Sequence, residues 1–186
     1  MATACAYAVE LRKVLPDLIM GVNLFGTQFQ SGQLATNVMN VLKATGLPPE
    51  ALEIEITENI ILAHDELVME PLRVLRDLGV GIAFDDFGTG YASLSLLKRY
   101  PLTRLKIDRS FITDICNDEA DAAIVKAVIF LADKLKLEVI AEGVETVQQS
   151  DFLQQCGCGH IQGYLYGKPM AVEDLEIFIQ KKLTAA

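Results

Sequence analysis

The stretch Val80–Asp108, VGIAFDDFGTGYASLSLLKRYPLTRLKID, decides the fold. Val80 to Phe84 is an apolar run of strand length, and it ends on Asp85-Asp86 and a Gly-rich turn through Gly90. A helical segment follows to about Arg99, and Leu102 to Ile107 is a second strand. Two strands joined through a helix pair in parallel, since an antiparallel pair needs only a tight turn.

The same rhythm extends in both directions. Upstream, Leu18 to Leu24 (LIMGVNL) is too short for a buried helix and suits a buried strand, and Leu52 to Thr57 (LEIEIT) alternates like one. Between them, Ser31 is placed to cap a helix whose apolar positions are Leu34, Val38, Val41 and Leu42, closed by Gly46. Another helical segment spans Glu66 to Leu78, interrupted by Pro71. Downstream, a helix capped by Asn117 runs to Lys134 and Lys136, with a core stripe of Ala120, Ile124, Ala127, Leu131 and Leu135. Leu137 to Ala141 is a strand, Thr146 caps a helix ending at Gly157, and Gly159 to Gln162 is a last short strand. An amphipathic helix with Leu175, Phe178 and Ile179 ends the chain, and a helix at Ala2 to Val14 precedes the first strand. Residues 1–186 form one domain, with no linker or repeat.

This is an α/β pattern with a mostly parallel sheet. Six strands suit an open doubly wound sheet, and they equally suit part of an eight-stranded barrel, which usually takes about 250 residues. Rhythm alone does not choose between them.

Composition narrows the function classes. The chain is 51% hydrophobic, which excludes disorder. No apolar run approaches the roughly 20 residues needed to span a bilayer, and the start lacks the basic and apolar regions of a signal sequence. The four cysteines have no disulfide-framework spacing, so they are read as reduced and the compartment as cytoplasmic. A formal net charge of −9 argues against a DNA or RNA duplex as partner, but not against an anionic ligand held through cations.

Polar residues collect where the strands end: Asn23, then Glu55 and Glu58, Asp85 and Asp86, Lys106 and Asp108, Glu142, and Gln162. Each alone could cap a helix or brace a turn. A polar group at the end of every one of six strands instead suggests one shared site, because the C-terminal strand ends of parallel barrels converge on the active site. Asn23, Glu55, Asp85, Asp86 and Glu142 offer only oxygen ligands, which suits Mg²⁺ or Mn²⁺ rather than zinc. Adjacent Asp85 and Asp86 would point to opposite faces of a regular strand, so the backbone has to turn for both to serve one site. Two metals roughly 3.5–4 Å apart can clamp both oxygens of a phosphodiester displacement. Lys106 then either steadies the developing negative charge or makes a salt bridge inside the barrel mouth. Cys156, Cys158 and His160 alternate, but without a second Cys pair they are read as ordinary side chains. The turn at Asp85 to Gly90 is no Walker loop, since no Gly-Lys-Ser/Thr follows.

At this point the residues resemble a known family. Asp85-Asp86-Phe87-Gly88-Thr89-Gly90-Tyr91 followed by Leu105-Lys106-Ile107-Asp108-Arg109-Ser110-Phe111 is similar to the EAL domain of bacterial cyclic di-GMP phosphodiesterases. Val22-Asn23-Leu24, Glu55-Ile56-Thr57-Glu58, Ala141-Glu142-Gly143-Val144-Glu145-Thr146 and Gln162-Gly163-Tyr164 match in the same order. The resemblance implies a TIM-like (β/α)8 barrel with about six βα units present. It implies hydrolysis of cyclic di-GMP to linear pGpG at a two-metal Mg²⁺ or Mn²⁺ site. It makes Asn23, Glu55, Asp85, Asp86 and Glu142 the metal ligands, and Lys106, Glu142 and Gln162 the residues nearest the reacting groups. Glu58 resembles the glutamate that braces the Gly-rich loop, and Glu145 a further acidic residue supporting the site. A homodimer, and a sensory or GGDEF domain upstream in the parent protein, are the partners it implies.

One departure counts against full activity. The signature Glu-Ala-Leu tripeptide belongs on a strand before Asn23, and none stands there; the neighbouring phosphate-binding arginine is also missing. Val9-Glu10-Leu11 is no replacement, because it falls in the first helix. The expectation is a chain short of its first strands, impaired in hydrolysis and prone to self-association. The rival readings are a non-catalytic cyclic di-GMP receptor and an enolase-type proton abstraction, and the paired aspartates favour phosphodiester chemistry over the latter.

Overall fold

The computed structural model describes residues 1–88 and 94–184. Its centre is one parallel sheet of six strands in sequential order: β1 (Met20–Asn23), β2 (Leu52–Thr57), β3 (Gly81–Phe87), β4 (Arg104–Ile107), β5 (Glu138–Ala141) and β6 (His160–Ile161). Sequential order with helical crossovers is the barrel arrangement; a doubly wound sheet reverses direction partway. The six strands curl into part of a TIM-like barrel. Among the described residues β1 and β6 each pair on one side only.

Alternation along the strands separates two chemistries. Leu52, Ile54, Ile56, Ile82, Phe84, Leu105, Ile107, Val139 and Ala141 are buried on the outer face, within the apolar core that the helices cover. The inner face carries Glu53, Glu55, Asp85, Arg104 and Lys106 instead. Register brings these into layers, with Asn23 opposite Glu55 and Thr57 opposite Asp85. A polar lumen beneath an apolar shell is what positions the site.

The helices are α1 (Ala2–Leu11), α2 (Gly26–Gln30), α3 (Leu34–Thr45), α4 (Glu58–Asp77), α5 (Leu94–Arg99), α6 (Ser110–Thr113), α7 (Glu119–Leu135), α8 (Val147–Gln155) and α9 (Val172–Thr184). Three differ from the expectations of sequence. The Ser31 hydroxyl accepts from the Gln33 amide, ordering the turn ahead of α3 rather than capping it. The fourth helix starts at Glu58 and runs through Pro71. A mid-helix proline forfeits a hydrogen bond, and burial of Val68, Leu72 and Leu75 against the core holds the helix together across it.

The third difference is a rotation. On α7 the buried residues are Val125, Val128, Ile129 and Ala132, while Ile124 is 41% and Phe130 66% exposed. Of the expected stripe, Ala120, Ile124 and Ala127 therefore face outward, while Leu131 and Leu135 are half-buried against the core. Apolar side chains cover most of this helix's circumference, so periodicity could not say which arc meets the sheet. The cap is Asp118, whose carboxylate accepts from the amides of Ala120 and Asp121 at 2.7 and 3.2 Å. Thr146 does cap α8, in a capping box with Gln149. No helix among the described residues is long and apolar enough to cross a membrane.

Candidate active site and metal centre

Strand alternation puts Arg104 and Lys106 on one face of β4, and Glu53 and Glu55 on the same face of β2. The result is two ionic layers in the lumen. In the lower one Arg104 binds Glu53 at 2.8 Å and Glu138 at 2.5 Å. In the upper one the Lys106 ammonium lies 2.6 Å from Glu55, 2.8 Å from Asp85 and 2.8 Å from Glu142. Gly21 clears a path for this arrangement, since a Cβ there would stand 2.3 Å from Glu55 Oε1.

The paired aspartates solve their facing problem by a break in the strand. Register between β3 and β4 shifts between Phe84 and Phe87, and Asp86 takes a left-handed backbone at φ 56°. Such a bulge re-aims a side chain at the cost of local strain. It brings Asp86 to the same side as Asp85, and carboxylate oxygens of Asp85, Asp86 and Glu142 lie within 4.8 Å of one another.

Charge crowding shows in the proton affinities. Burial, then the charges of Asp85 and Asp108, push the Asp86 carboxyl above its ordinary value. Burial likewise raises Glu142, although Lys106 pulls the other way. For Lys106, burial works against the charge, but hydrogen bonds to Asp85, Glu142 and Glu55 win and hold its proton above the ordinary lysine range. The lysine is therefore a fixed cation at neutral pH. A carboxylate cluster that resists full ionisation is one that a divalent cation would relieve, and its all-oxygen donors suit a hard ion. On these grounds Asp85, Asp86 and Glu142 fit a metal.

The remaining candidates are placed as follows. Glu55 joins the cluster through Lys106. Asn23 is level with Glu55 in register, at the exposed end of β1. Gln162 follows β6 and lines a recess of about 370 Å³ together with Asp86, Glu142 and Glu145. Glu58 is the first residue of α4 and only 4% exposed, and among the described residues neither of its carboxylate oxygens has a hydrogen-bond partner. The Gly-rich loop it was expected to brace continues into residues 89–93, outside the described residues.

Several residues at the site were not singled out from sequence. Asp108 was noted only as a strand end; it lines the recess, and although burial opposes it, hydrogen bonds from Ser110 and neighbouring amides keep its carboxyl below the ordinary range. Arg109 and Tyr164 line the same recess. The Arg104 layer was legible in the alternation of LEIEIT and RLKI, had both strands been read for charge. A literal Glu50-Ala51-Leu52 string does exist, but it lies in the 3-10 turn at the N-terminal end of β2, with Glu50 exposed. That is the end of the strand opposite the cluster, so it supplies no ligand.

The family profile described as EAL domain matches residues 1–169. The bifunctional diguanylate cyclase/cyclic di-GMP phosphodiesterase MucR of Pseudomonas aeruginosa is 45% identical over 159 residues, covering 86% of this chain and 23% of MucR. The chain thus spans about a quarter of that relative's length. The solved structure of the MucR phosphodiesterase in complex with c-di-GMP superposes with a TM-score of 0.86 at 42% identity, over 94% of this chain and 71% of that one. A manganese and cyclic di-GMP complex of BlrP1 from Klebsiella pneumoniae gives 0.80 at 33% identity, over 90% and 44%.

Proposed function

The chain belongs to the EAL domain family, and from that premise we propose that its strand-end cluster binds cyclic di-GMP and hydrolyses it, with Mg²⁺ or Mn²⁺, to linear pGpG. The observation that carries the reading is Asp86 in its left-handed turn, because it turns two consecutive carboxylates onto one site beside a buried lysine. The names of MucR and of NbdA from the same organism, both cyclic di-GMP phosphodiesterases, support it.

Asp85, Asp86 and Glu142 would hold the cations, with Glu55 and Asn23 completing the set from the neighbouring strands. When bound, the ions supply Lewis acidity and a water made nucleophilic near neutral pH. Lys106 stays protonated and places a positive charge where the phosphodiester gathers negative charge. Glu142, within reach of the Lys106 ammonium, would help position the water that adds to phosphorus as the 3′ oxygen leaves and takes up a proton. Gln162 orients the water by hydrogen bonding, Glu145 supports the site from the recess wall, and Glu58 braces the Gly-rich loop.

We place the chain in the cytoplasm as one EAL-type unit that pairs with a second copy, joined to sensory or GGDEF domains in its parent. The test is to incubate the purified chain with cyclic di-GMP and Mn²⁺ and to separate the products by chromatography. Appearance of pGpG that EDTA abolishes is the expected result. Binding without any product would favour a receptor, and neither binding nor product would end the proposal.

A further inference from the structure

Two ionic rungs cross the lumen from β2 to β4. Glu53 meets Arg104, and Glu55 meets Lys106 two residues higher on both strands. At about 3.3 Å per residue the rungs stand roughly 6.6 Å apart. Each continues to β5, through Glu138 below and Glu142 above. Strand β3 runs between β2 and β4, and the rungs pass over it because Gly81 and Ala83 are its residues at those levels. A Cβ on Gly81 would stand 3.2 Å from Glu53 Oε2.

The rungs differ in what competes for them. All three partners of Lys106 are carboxylates that the proposed function gives to the cations, so cations and ammonium share the upper rung. Arg104 holds Glu53 and Glu138, which lie outside that set. The lower rung can therefore persist whether or not cations are bound. It also sits where β3 is weakest, since Ala83 with Arg104 and Phe84 with Leu105 are the last regular pairs before the register shifts. The guanidinium divides its donors between two strands. Nη1 donates to Glu53 Oε1 at 2.8 Å, while Nε and Nη2 donate to Glu138 Oε2 at 3.1 and 2.5 Å. Its planarity fixes the angle between the two partners, which an ammonium cannot do. Arg104 is 7% and Glu53 5% exposed, so solvent hardly weakens their pairing.

We propose that Arg104 is a positioning residue for the cation site. By clamping β2 and β5 to β4 beneath the bulge, it sets the separation at which Glu55 and Glu142 face Asp85 and Asp86. The inference rests on the proposed function in taking those carboxylates as cation ligands, and it adds what holds them at working distance. Ligands have to be kept within about 0.5 Å of their binding geometry, and a shift in the lower rung is carried two residues up each strand to the cluster.

Charge and geometry predict opposite signs. Removing Arg104 alone takes a positive charge from below the site, which by itself would tighten cation binding. Removing Glu53 as well leaves the net charge unchanged, so any remaining effect is geometric.

The test is Mn²⁺ binding to the whole chain without nucleotide, with the free ion followed by electron paramagnetic resonance. The unaltered protein, Arg104→Met, Arg104→Lys and the double variant Arg104→Met with Glu53→Gln are compared, and urea unfolding in EDTA confirms that each is folded. The double variant should bind Mn²⁺ about tenfold more weakly, the scale of losses from groups that stand behind metal ligands. Arg104→Lys keeps the charge without the fork and should fall between the double variant and the unaltered chain. A double variant that binds Mn²⁺ as the unaltered chain does, or more tightly, would reduce Arg104 to a stabilising ion pair and overturn the inference. An unaltered chain that bound no Mn²⁺ would instead remove the cation site, and the proposed function would fall with this inference.

Discussion

Replacing Lys106 by Met removes the ammonium shared by Glu55, Asp85 and Glu142 and keeps most of the side chain's volume. The three carboxylate side chains are 15%, 12% and 17% exposed, so bulk water cannot take over the lysine's role. Removing one partner from a buried ion pair costs about 3–5 kcal/mol. Protonation offers a second estimate. A stranded carboxyl that must be neutral at pH 7 costs about 1.4 kcal/mol for each of roughly 2.5 pH units above its unfolded value, or about 3.5 kcal/mol. The two agree, so Lys106→Met should lose about 3–4 kcal/mol at pH 7, a large part of the roughly 5–15 kcal/mol typical of a domain. The sign with pH follows. In the folded variant the stranded carboxyls bind protons more tightly than in the unfolded chain. Their stability contribution is intact below the unfolded carboxyl pKa and is lost as pH rises through the folded one, so the deficit opens between about pH 4.5 and 7. Urea unfolding followed by circular dichroism, in EDTA at pH 4.5 and pH 7.5, measures it. A variant that matches the unaltered chain at pH 7.5, or whose deficit is larger at pH 4.5, would refute the claim that the lysine neutralises this cluster.

Other outcomes follow from the same geometry. Arg104→Met should destabilise by about 3–5 kcal/mol by stranding Glu53, which is 5% exposed; adding Glu53→Gln should recover part of this in the same unfolding assay, and no recovery would deny the pair. Asp86→Asn should weaken Mn²⁺ binding by about tenfold or more in calorimetry with the fold retained, whereas unchanged affinity would remove Asp86 from the cation set. On α7, Val125→Ala should cost about 2 kcal/mol and Ile124→Ala under about 0.5 kcal/mol; the reverse order would restore the stripe expected from sequence. Gly143→Ala should cost about 1–3 kcal/mol from its positive φ and its approach to Arg109, and a neutral result would show that the turn relaxes easily.

Strand and helix alternation, the positions of the strand-end polar residues and the need for a turn at Asp85-Asp86 were all legible in the sequence. Each rests on local chemistry: a period of two, an apolar run of given length, or two like charges that cannot share a strand face. What local pattern could not decide was anything that depends on which surface meets which. Helix α7 is apolar around most of its circumference, and only contact with the sheet selected Val125, Val128, Ile129 and Ala132 over Ile124. Pro71 read as a break because a proline removes a hydrogen bond, yet the buried residues around it carry α4 through. Open sheet and barrel were equivalent on rhythm, and the order of strand pairing separated them. The ionic lumen depends on register, which is a relation between strands distant in the chain: Lys106 reaches Glu55, Asp85 and Glu142 only because β2, β3, β4 and β5 lie side by side. Sequence determined which groups stand at the strand ends, since that depends on neighbours along the chain; tertiary structure decided which of them share a charge, since that depends on neighbours across the sheet.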